Sequence, residues 1–378
     1  MSNRCFNFIE IRKNYLIVGE VNESKLTSFE IFDLQDKSIV GNIYRGRILN
    51  KIKSLNAYFV DIGIGKNGFL QIESKINTDY NEGDEIIVQV TSPADGEKGV
   101  RLRDEFEIKG INLIITPFND DFRISKKILD IDFIEELKTN VKALLPKGIG
   151  AIVRTSAQNY SIEEINAELR ELLSLAEQLD KEKNFSPTPK LLMEEDYITD
   201  SLNFNNLSDI FVNDKKIYDF LLSSFSKNNV IYDKSFRIKD DNEIFRQIKE
   251  LFDRKVILDN GIELIFEKTE ALYVVDINSS GFLHKKTHHD IHDVNIESLI
   301  NIIKQIVFRN IYGIILVDFI SYKNKIQEEQ LLKKLYKMTK LFKNPPQIVG
   351  FTRLGILEMT RNKKVNNIKL ENITLDIF

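Results

Sequence analysis

The stretch that most constrains this chain runs from Ala271 to Asp318. Two short apolar runs, Leu272–Val275 and Ile314–Val317, each stop at an aspartate, Asp276 and Asp318. Runs of this length, rich in Val and Ile, read as buried strands. Between them, Ile296, Leu299, Ile300, Ile303, Ile306 and Val307 fall on one face of a helix. Strand, helix, strand in so short a span is a βαβ-like unit, whose crossover lays the two strands side by side or nearly so. Both aspartates then sit at one sheet edge. Paired carboxylates with an amide at Asn278 make an all-oxygen donor set suited to Mg²⁺. This stretch is the candidate active site, and the rest of the chain is expected to bring a phosphodiester to it.

At 378 residues the chain is long enough for two or three domains with cores of their own. No apolar run approaches the ~20 residues of a membrane span, and the N-terminal residues lack a signal-peptide core. The single cysteine, Cys5, excludes an internal disulfide and any multi-cysteine zinc site, so a cytoplasmic protein is expected. The net charge of −4 does not advertise nucleic-acid binding, which local patches can nonetheless supply.

Residues 1–38 read as strands without a core of their own, so they are expected to pair with something distant. From 39 to 106, short strands with glycine turns and no helix suggest a small closed barrel. Phe59 and Phe69 lie there among Arg45, Arg47, Lys51, Lys53 and Lys66. Aromatic platforms with nearby cations hold single strands on OB-type barrels; the alternative places both rings in the barrel core. Further on, the strand Ala151-Ile152-Val153 delivers Arg154-Thr155-Ser156, either a phosphate clamp or a surface ion pair beside the helix that starts with a capping box at Ser161 and Glu164. All four histidines, His284, His288, His289 and His292, fall in one window with Lys285 and Lys286, which reads as a polar loop rather than a metal site. The lysines of this loop could contact a nucleic-acid backbone. A basic helix over 325–340 and a strand at Gln347–Phe351 follow.

Asp276-Ile277-Asn278-Ser279, Val317-Asp318-Phe319-Ile320 and Thr352-Arg353-Leu354-Gly355-Ile356-Leu357-Glu358-Met359-Thr360-Arg361 together resemble the catalytic half of the ribonuclease E/G family. Asn42-Ile43-Tyr44-Arg45-Gly46, Phe59-Val60-Asp61 and Gly68-Phe69-Leu70 look like that family's S1 domain, and Ile152-Val153-Arg154-Thr155 looks like its 5′-end sensor. The matches run in the same order over nearly the whole chain. The resemblance implies an α+β multidomain fold. Residues 1–38 plus 200–264 would form a ribonuclease-H-like domain, with an S1 (OB) barrel at 39–106 and a 5′-sensor region at 107–199 inserted. Residues 265–378 would be a DNase-I-like catalytic subdomain.

The resemblance further implies a Mg²⁺-dependent endoribonuclease cutting single-stranded, A/U-rich RNA to 5′-phosphate and 3′-hydroxyl products. Asp276 and Asp318 would hold the metal, with Asn278 as a third catalytic group. Phe59, Phe69 and Lys98 would hold RNA, and Gly110, Lys126, Arg154 and Thr155 would form the 5′-phosphate sensor. There are departures. The family's zinc-link motif, C-P-x-C, has no counterpart, so the expectation is a monomer or a weak homodimer rather than a zinc-linked dimer. Ser321 replaces an acidic residue, and Pro345 stands where a sensor arginine is expected. Two other readings compete: an RNA-binding protein with weak or no cleavage on the same scaffold, and a different metal-dependent phosphohydrolase acting on nucleotides.

Overall fold

The computed structural model describes residues 4–35, 38–72, 79–94, 98–185, 187–195, 208–224, 229–258, 261–278, 291–322, 325–340, 342, 344–363 and 367–378. The chain divides into two compact units. One comprises residues 1–36 and 208–378, the other residues 37–207.

The first unit holds two sheets. In the five-stranded sheet the order is Val230–Tyr232, Ile210–Val212, Phe6–Arg12, Tyr15–Asn22, Lys25–Asp33. Phe6–Arg12 turns back on itself at Lys13 to pair antiparallel with Tyr15–Asn22, and its other edge runs parallel to Ile210–Val212. The N-terminal strands thus find their distant partner, and Phe8, Ile17, Phe29 and Ile31 are buried against Ile244, Ile248 and Leu251. The C-terminal residues complete this core: the Phe378 ring stacks on Phe29 and meets Phe245 and Phe252 edge-on.

The six-stranded sheet has the order Lys255–Ile257, Glu263–Lys268, Leu272–Asn278, Gly313–Asp318, Ile356–Arg361, Gln347–Phe351. Alternate residues explain its two faces. Leu264, Phe266, Tyr273, Val275, Ile277, Ile315, Val317, Leu357 and Met359 point one way, into a core shared with the helices Ile291–Phe308 and Lys325–Thr339. Residues of the opposite register, among them Asp276, Ile314 and Asp318, are exposed. The helix Ile291–Phe308 serves both sheets: Leu299, Ile302 and Ile303 belong to this core, while Phe308 belongs to the other.

In the second unit, Ile43–Ile52, Ala57–Asp61, Gly68–Gln71, Arg101–Arg103 and Glu85–Ser92 pair in that order, and Glu85–Ser92 pairs back to Ile43–Ile52. The result is a closed five-stranded barrel, filled by Tyr44, Ile48, Tyr58, Val60, Leu70, Val88 and Leu102. Beside it lies a four-stranded sheet in the order Phe122–Ile124, Gly150–Val153, Leu113–Thr116, Ile108–Lys109. The helix Ile162–Lys181 packs on that sheet through Ile165, Leu169, Leu172, Ala176 and Leu179, and the Ser161–Glu164 capping box closes its N-terminus. Ile131–Glu136 is α-helical and then loosens into a wider turn at Leu137–Val141.

Candidate active site

Leu272–Asn278 and Gly313–Asp318 are parallel neighbours, and their register sets Asp276 directly opposite Asp318. Neighbouring strands lie about 4.8 Å apart, so two carboxylates face the same side at that spacing. The apolar residues before each aspartate bury the other face: Val275 and Val317 are fully buried, while Asp276 and Asp318 are exposed. Asn278, two residues beyond Asp276 on the same strand, shares its face and lies opposite Glu263 on the next strand. Among the described residues neither aspartate enters a salt bridge, so both carboxylates are open to a cation. Two carboxylates and one amide oxygen suit a hard divalent ion. Among the described residues no group of three or more His, Cys, Asp or Glu gathers that could hold a metal ion.

Asn295, which the sequence reading did not single out, positions the chain beyond Asp318. Fully buried in the helix Ile291–Phe308, it donates from Nδ2 to the Ile320 carbonyl (2.8 Å) and accepts from the Ile320 N–H (3.1 Å). An amide on an otherwise apolar helix face was the available signal. His292 bonds through Nδ1 to the Tyr322 hydroxyl at 3.1 Å. The other histidines, His284, His288 and His289, lie outside the described residues with Lys285 and Lys286.

On the barrel, Phe59 and Phe69 are register partners on adjacent strands, with ring centroids 6.0 Å apart in an edge-to-face arrangement. Both are half-buried, whereas Tyr58, Val60 and Leu70, which alternate with them, are fully buried. The two rings therefore lie on the outer face and not in the barrel core. Lys98 is exposed. Its neighbour Gly99 packs so closely that a Cβ would fall 1.8 Å from the Asn67 carbonyl oxygen, which ties this segment to the turn before Phe69. Arg45 does not join these cations. It is fully buried, donating to Thr188 Oγ1 (3.0 Å), the Pro187 carbonyl (2.6 Å) and Glu182. Lys51 pairs with Asp79, and Arg47 pairs with Glu85 at 2.9 Å.

Gly110, Arg154 and Thr155 come together in the four-stranded sheet. Arg154 Nη1 donates to the Gly110 carbonyl at 2.8 Å, and the Thr155 and Ser125 hydroxyls are 2.8 Å apart. Lys126, next to Ser125, is exposed. Glu168, also not singled out from sequence, organises this corner. Its carboxylate accepts from the Asn112 and Leu113 N–H groups (2.8 and 3.1 Å) and from Asn112 Nδ2 (2.9 Å). A Cβ at residue 110 would fall 2.1 Å from Glu168 Oε1, so any larger residue there would displace this carboxylate.

Burial pushes the Glu168 carboxyl above its usual range, against the pull of those N–H donors and of Arg154. A carboxyl whose folded-state pKa is raised favours the fold when protonated, so that contribution is present at low pH and is lost as pH rises through the folded value. Glu168→Gln cannot titrate. Relative to this variant, the wild type should lose stability as pH rises above the usual carboxylate range, measured by urea unfolding at a series of pH values.

Residues 107–364 match the Ribonuclease E/G family. Ribonuclease G of Haemophilus influenzae is 27% identical over 97% of this chain and 81% of its own length. A putative ribonuclease E of Buchnera aphidicola is 28% identical over 97% of this chain and 98% of its own. Ribonuclease E of Synechocystis is 28% identical over 87% of this chain and 53% of its own. The matched region contains the aspartate pair, the Arg154 corner and the six-stranded sheet. These matches define a phosphodiester hydrolase of the endoribonuclease class. The chain belongs to the ribonuclease E/G family.

Proposed function

We propose that this chain is a Mg²⁺-dependent endoribonuclease that cuts single-stranded, A/U-rich RNA, leaving 5′-phosphate and 3′-hydroxyl ends, in the processing and turnover of cytoplasmic RNA. The observation that carries this reading is the register of Asp276 against Asp318 on the open face of the sheet. Asp276 and Asp318 hold the metal, and Asn278 orients the scissile phosphate by hydrogen bonding. When bound, Mg²⁺ supplies a Lewis acid that makes a water nucleophilic and offsets the charge of the transition state. The sheet places the two carboxylates rigidly, so little reorganisation is needed when the phosphodiester arrives.

Phe59 and Phe69 stack on bases, a contact worth ~1–3 kcal/mol per base, and Lys98 meets the backbone phosphate. Gly110, Lys126, Arg154 and Thr155 form a pocket for a 5′-phosphate, with Arg154 as its principal cation. The strand order of the five-stranded sheet, with antiparallel strands on one side of Phe6–Arg12 and parallel ones on the other, supports a ribonuclease-H-like domain. Two helices on one face of the six-stranded sheet support a DNase-I-like catalytic subdomain. The protein works as a monomer or weak homodimer.

The test is incubation with a 5′-phosphorylated, A/U-rich oligomer with and without Mg²⁺. Internal cuts that need Mg²⁺ and leave a 5′-phosphate on the downstream fragment are expected. With Pro345 where a sensor arginine is expected, the 5′-hydroxyl oligomer should be cut within about tenfold of the same rate, a difference of ~1.4 kcal/mol. Failure to cut any RNA internally in Mg²⁺ would overturn the reading.

A further inference from the structure

Phe59, Phe69 and Arg101 form one row across the barrel. Phe59 is the register partner of Phe69, and Phe69 is the register partner of Arg101. Leu70 and Leu102, the next residues along, are buried in the barrel core, so Arg101 faces outward with the rings. Side chains two apart on a strand share a face, which puts Arg103 on the same side. Beyond Phe69 this surface drops into an open cleft of ≈ 530 Å³, walled on the far side by Phe118, Asn119 and Arg123. That volume is within the ~300–1,000 Å³ of small-ligand clefts.

Of the three arginines that line this cleft, one is engaged within the fold and two, among the described residues, are not. Arg103 is held by Gln89 Oε1 and by Glu107 at 3.0 Å. Arg101 and Arg123 are exposed, and neither guanidinium bonds to another described residue. The carboxylates are largely engaged: Glu107 pairs with Arg103, and Asp104 accepts from the Tyr80 hydroxyl at 2.9 Å, leaving Glu105. Asn119 accepts through Oδ1 from the Asp121 N–H (3.0 Å), which leaves its NH₂ group to donate. Phe118 is half-buried and meets Phe106 edge-on at 5.0 Å.

We propose that this cleft is a further nucleotide subsite, in which the residue adjoining the bases stacked on Phe59 and Phe69 places its phosphate between Arg101 and Arg123 and its base against Phe118 and the Asn119 amide. Planar guanidinium groups recognise phosphate by forked hydrogen bonds. A cleft with aromatic, amide and guanidinium groups, continuous with a stacking pair, fits a single strand rather than a duplex, whose bases are not available to stack. The proposal rests on the RNA-binding reading of the barrel and extends it by the next position along the strand.

The test uses the full chain without divalent metal and a series of 5′-hydroxyl A/U oligomers, from dinucleotide to dodecamer, read by fluorescence anisotropy. In the wild type, affinity should rise as the oligomer outgrows the stacked pair. In Arg101→Ala/Arg123→Ala that gain should be lost, about tenfold for the longer oligomers. The salt slope should fall by ~0.7 for each phosphate contact removed. Arg101→Lys/Arg123→Lys should keep the slope but lose affinity. Because both side chains are exposed and unbonded, the variants should melt with the wild type. A double alanine variant that binds every length like the wild type, while Phe69→Ala binds more weakly, would overturn the subsite and leave the barrel reading standing. No RNA binding by the wild type at any length would overturn both.

Discussion

Asp276→Asn and Asp318→Asn are each expected to lower the rate of RNA cleavage by about 10³-fold or more, a loss of the size that follows removal of a group that stabilises the charge of a transition state. Folding should be nearly indifferent. Both carboxylates are exposed, and neither forms a salt bridge among the described residues, so an isosteric amide removes no native contact. Without metal, the substitution relieves repulsion between two like charges directly opposite on adjacent strands, a destabilising arrangement. Each variant should then melt at or slightly above the wild-type temperature. Mg²⁺ reverses the order: it should raise the melting temperature of the wild type by binding only the folded state, and raise that of the variants much less. The double variant should be hardly worse than either single one, because the two residues act as one unit. Cleavage that survives both substitutions would move the active site elsewhere. RNA affinity in the absence of metal should be unchanged, since the phenylalanine pair belongs to the other unit.

The geometry of that pair was open to sequence reading for a physical reason. Two all-apolar runs ending in Asp can be buried on one face only if the aspartates fall at the same point of each strand. The intervening helix, apolar at 299, 303 and 306, requires the strands to be parallel. The barrel was legible in the same way, from short strands with glycine turns: Gly63 and Gly65 do adopt positive φ, at 82° and 83°. Other features were hidden because they depend on contacts distant in sequence. Leu370, Ile377 and Phe378, more than 300 residues from the N-terminal strands in sequence, are buried in the core of those strands. The strand Ile356–Arg361 alternates polar and apolar residues only weakly, and it is pairing with Gly313–Asp318 that makes it a strand. Lys215 and Lys216 open the helix Lys215–Ser224, where Lys215 lies over the Tyr218 ring.

Glu168 and Asn295 show why parts of the site region escaped. Each is a polar residue set into the apolar stripe of a helix, and nothing local says whether such a residue bonds to the backbone of another element or faces water. Glu168 bonds to Asn112 and Leu113, and Asn295 bonds to Ile320. The aromatic pair posed a similar ambiguity. Period-two alternation assigns Phe59 and Phe69 to one face of the barrel, but which face is outside is decided by closure of the ring, through Glu85–Ser92 pairing with Ile43–Ile52.

Arg45 is where composition misled most, and it carries the second large expected effect. On sequence it belongs with the basic residues around the stacking pair; in the fold it is a fully buried clamp. It lies on the outer side of its strand, since Tyr44 fills the barrel and Ile43 packs into the neighbouring core. What covers it is the end of the long helix and the following turn, which present the Glu182 carbonyl and carboxylate, the Pro187 carbonyl and the Thr188 hydroxyl. Arg45→Ala would leave these acceptors facing a cavity. Arg45 is fully buried but Glu182 is only half-buried, so the loss should lie at or below the roughly 3–5 kcal/mol of breaking a fully buried ion pair from one side, still a large share of the stability of an ordinary domain. Arg45→Lys keeps the charge but cannot reach all the acceptors from one point, so an intermediate loss is expected. Hydrogen exchange should show the loss first at the 182–190 segment and the strand Ile43–Ile52. Two readouts separate this role from RNA contact. A clamp lowers the denaturation midpoint and leaves the RNA affinity of folded protein unchanged. An RNA-binding arginine would lower affinity and the salt slope at an unchanged midpoint, and that outcome would return Arg45 to the RNA-binding surface.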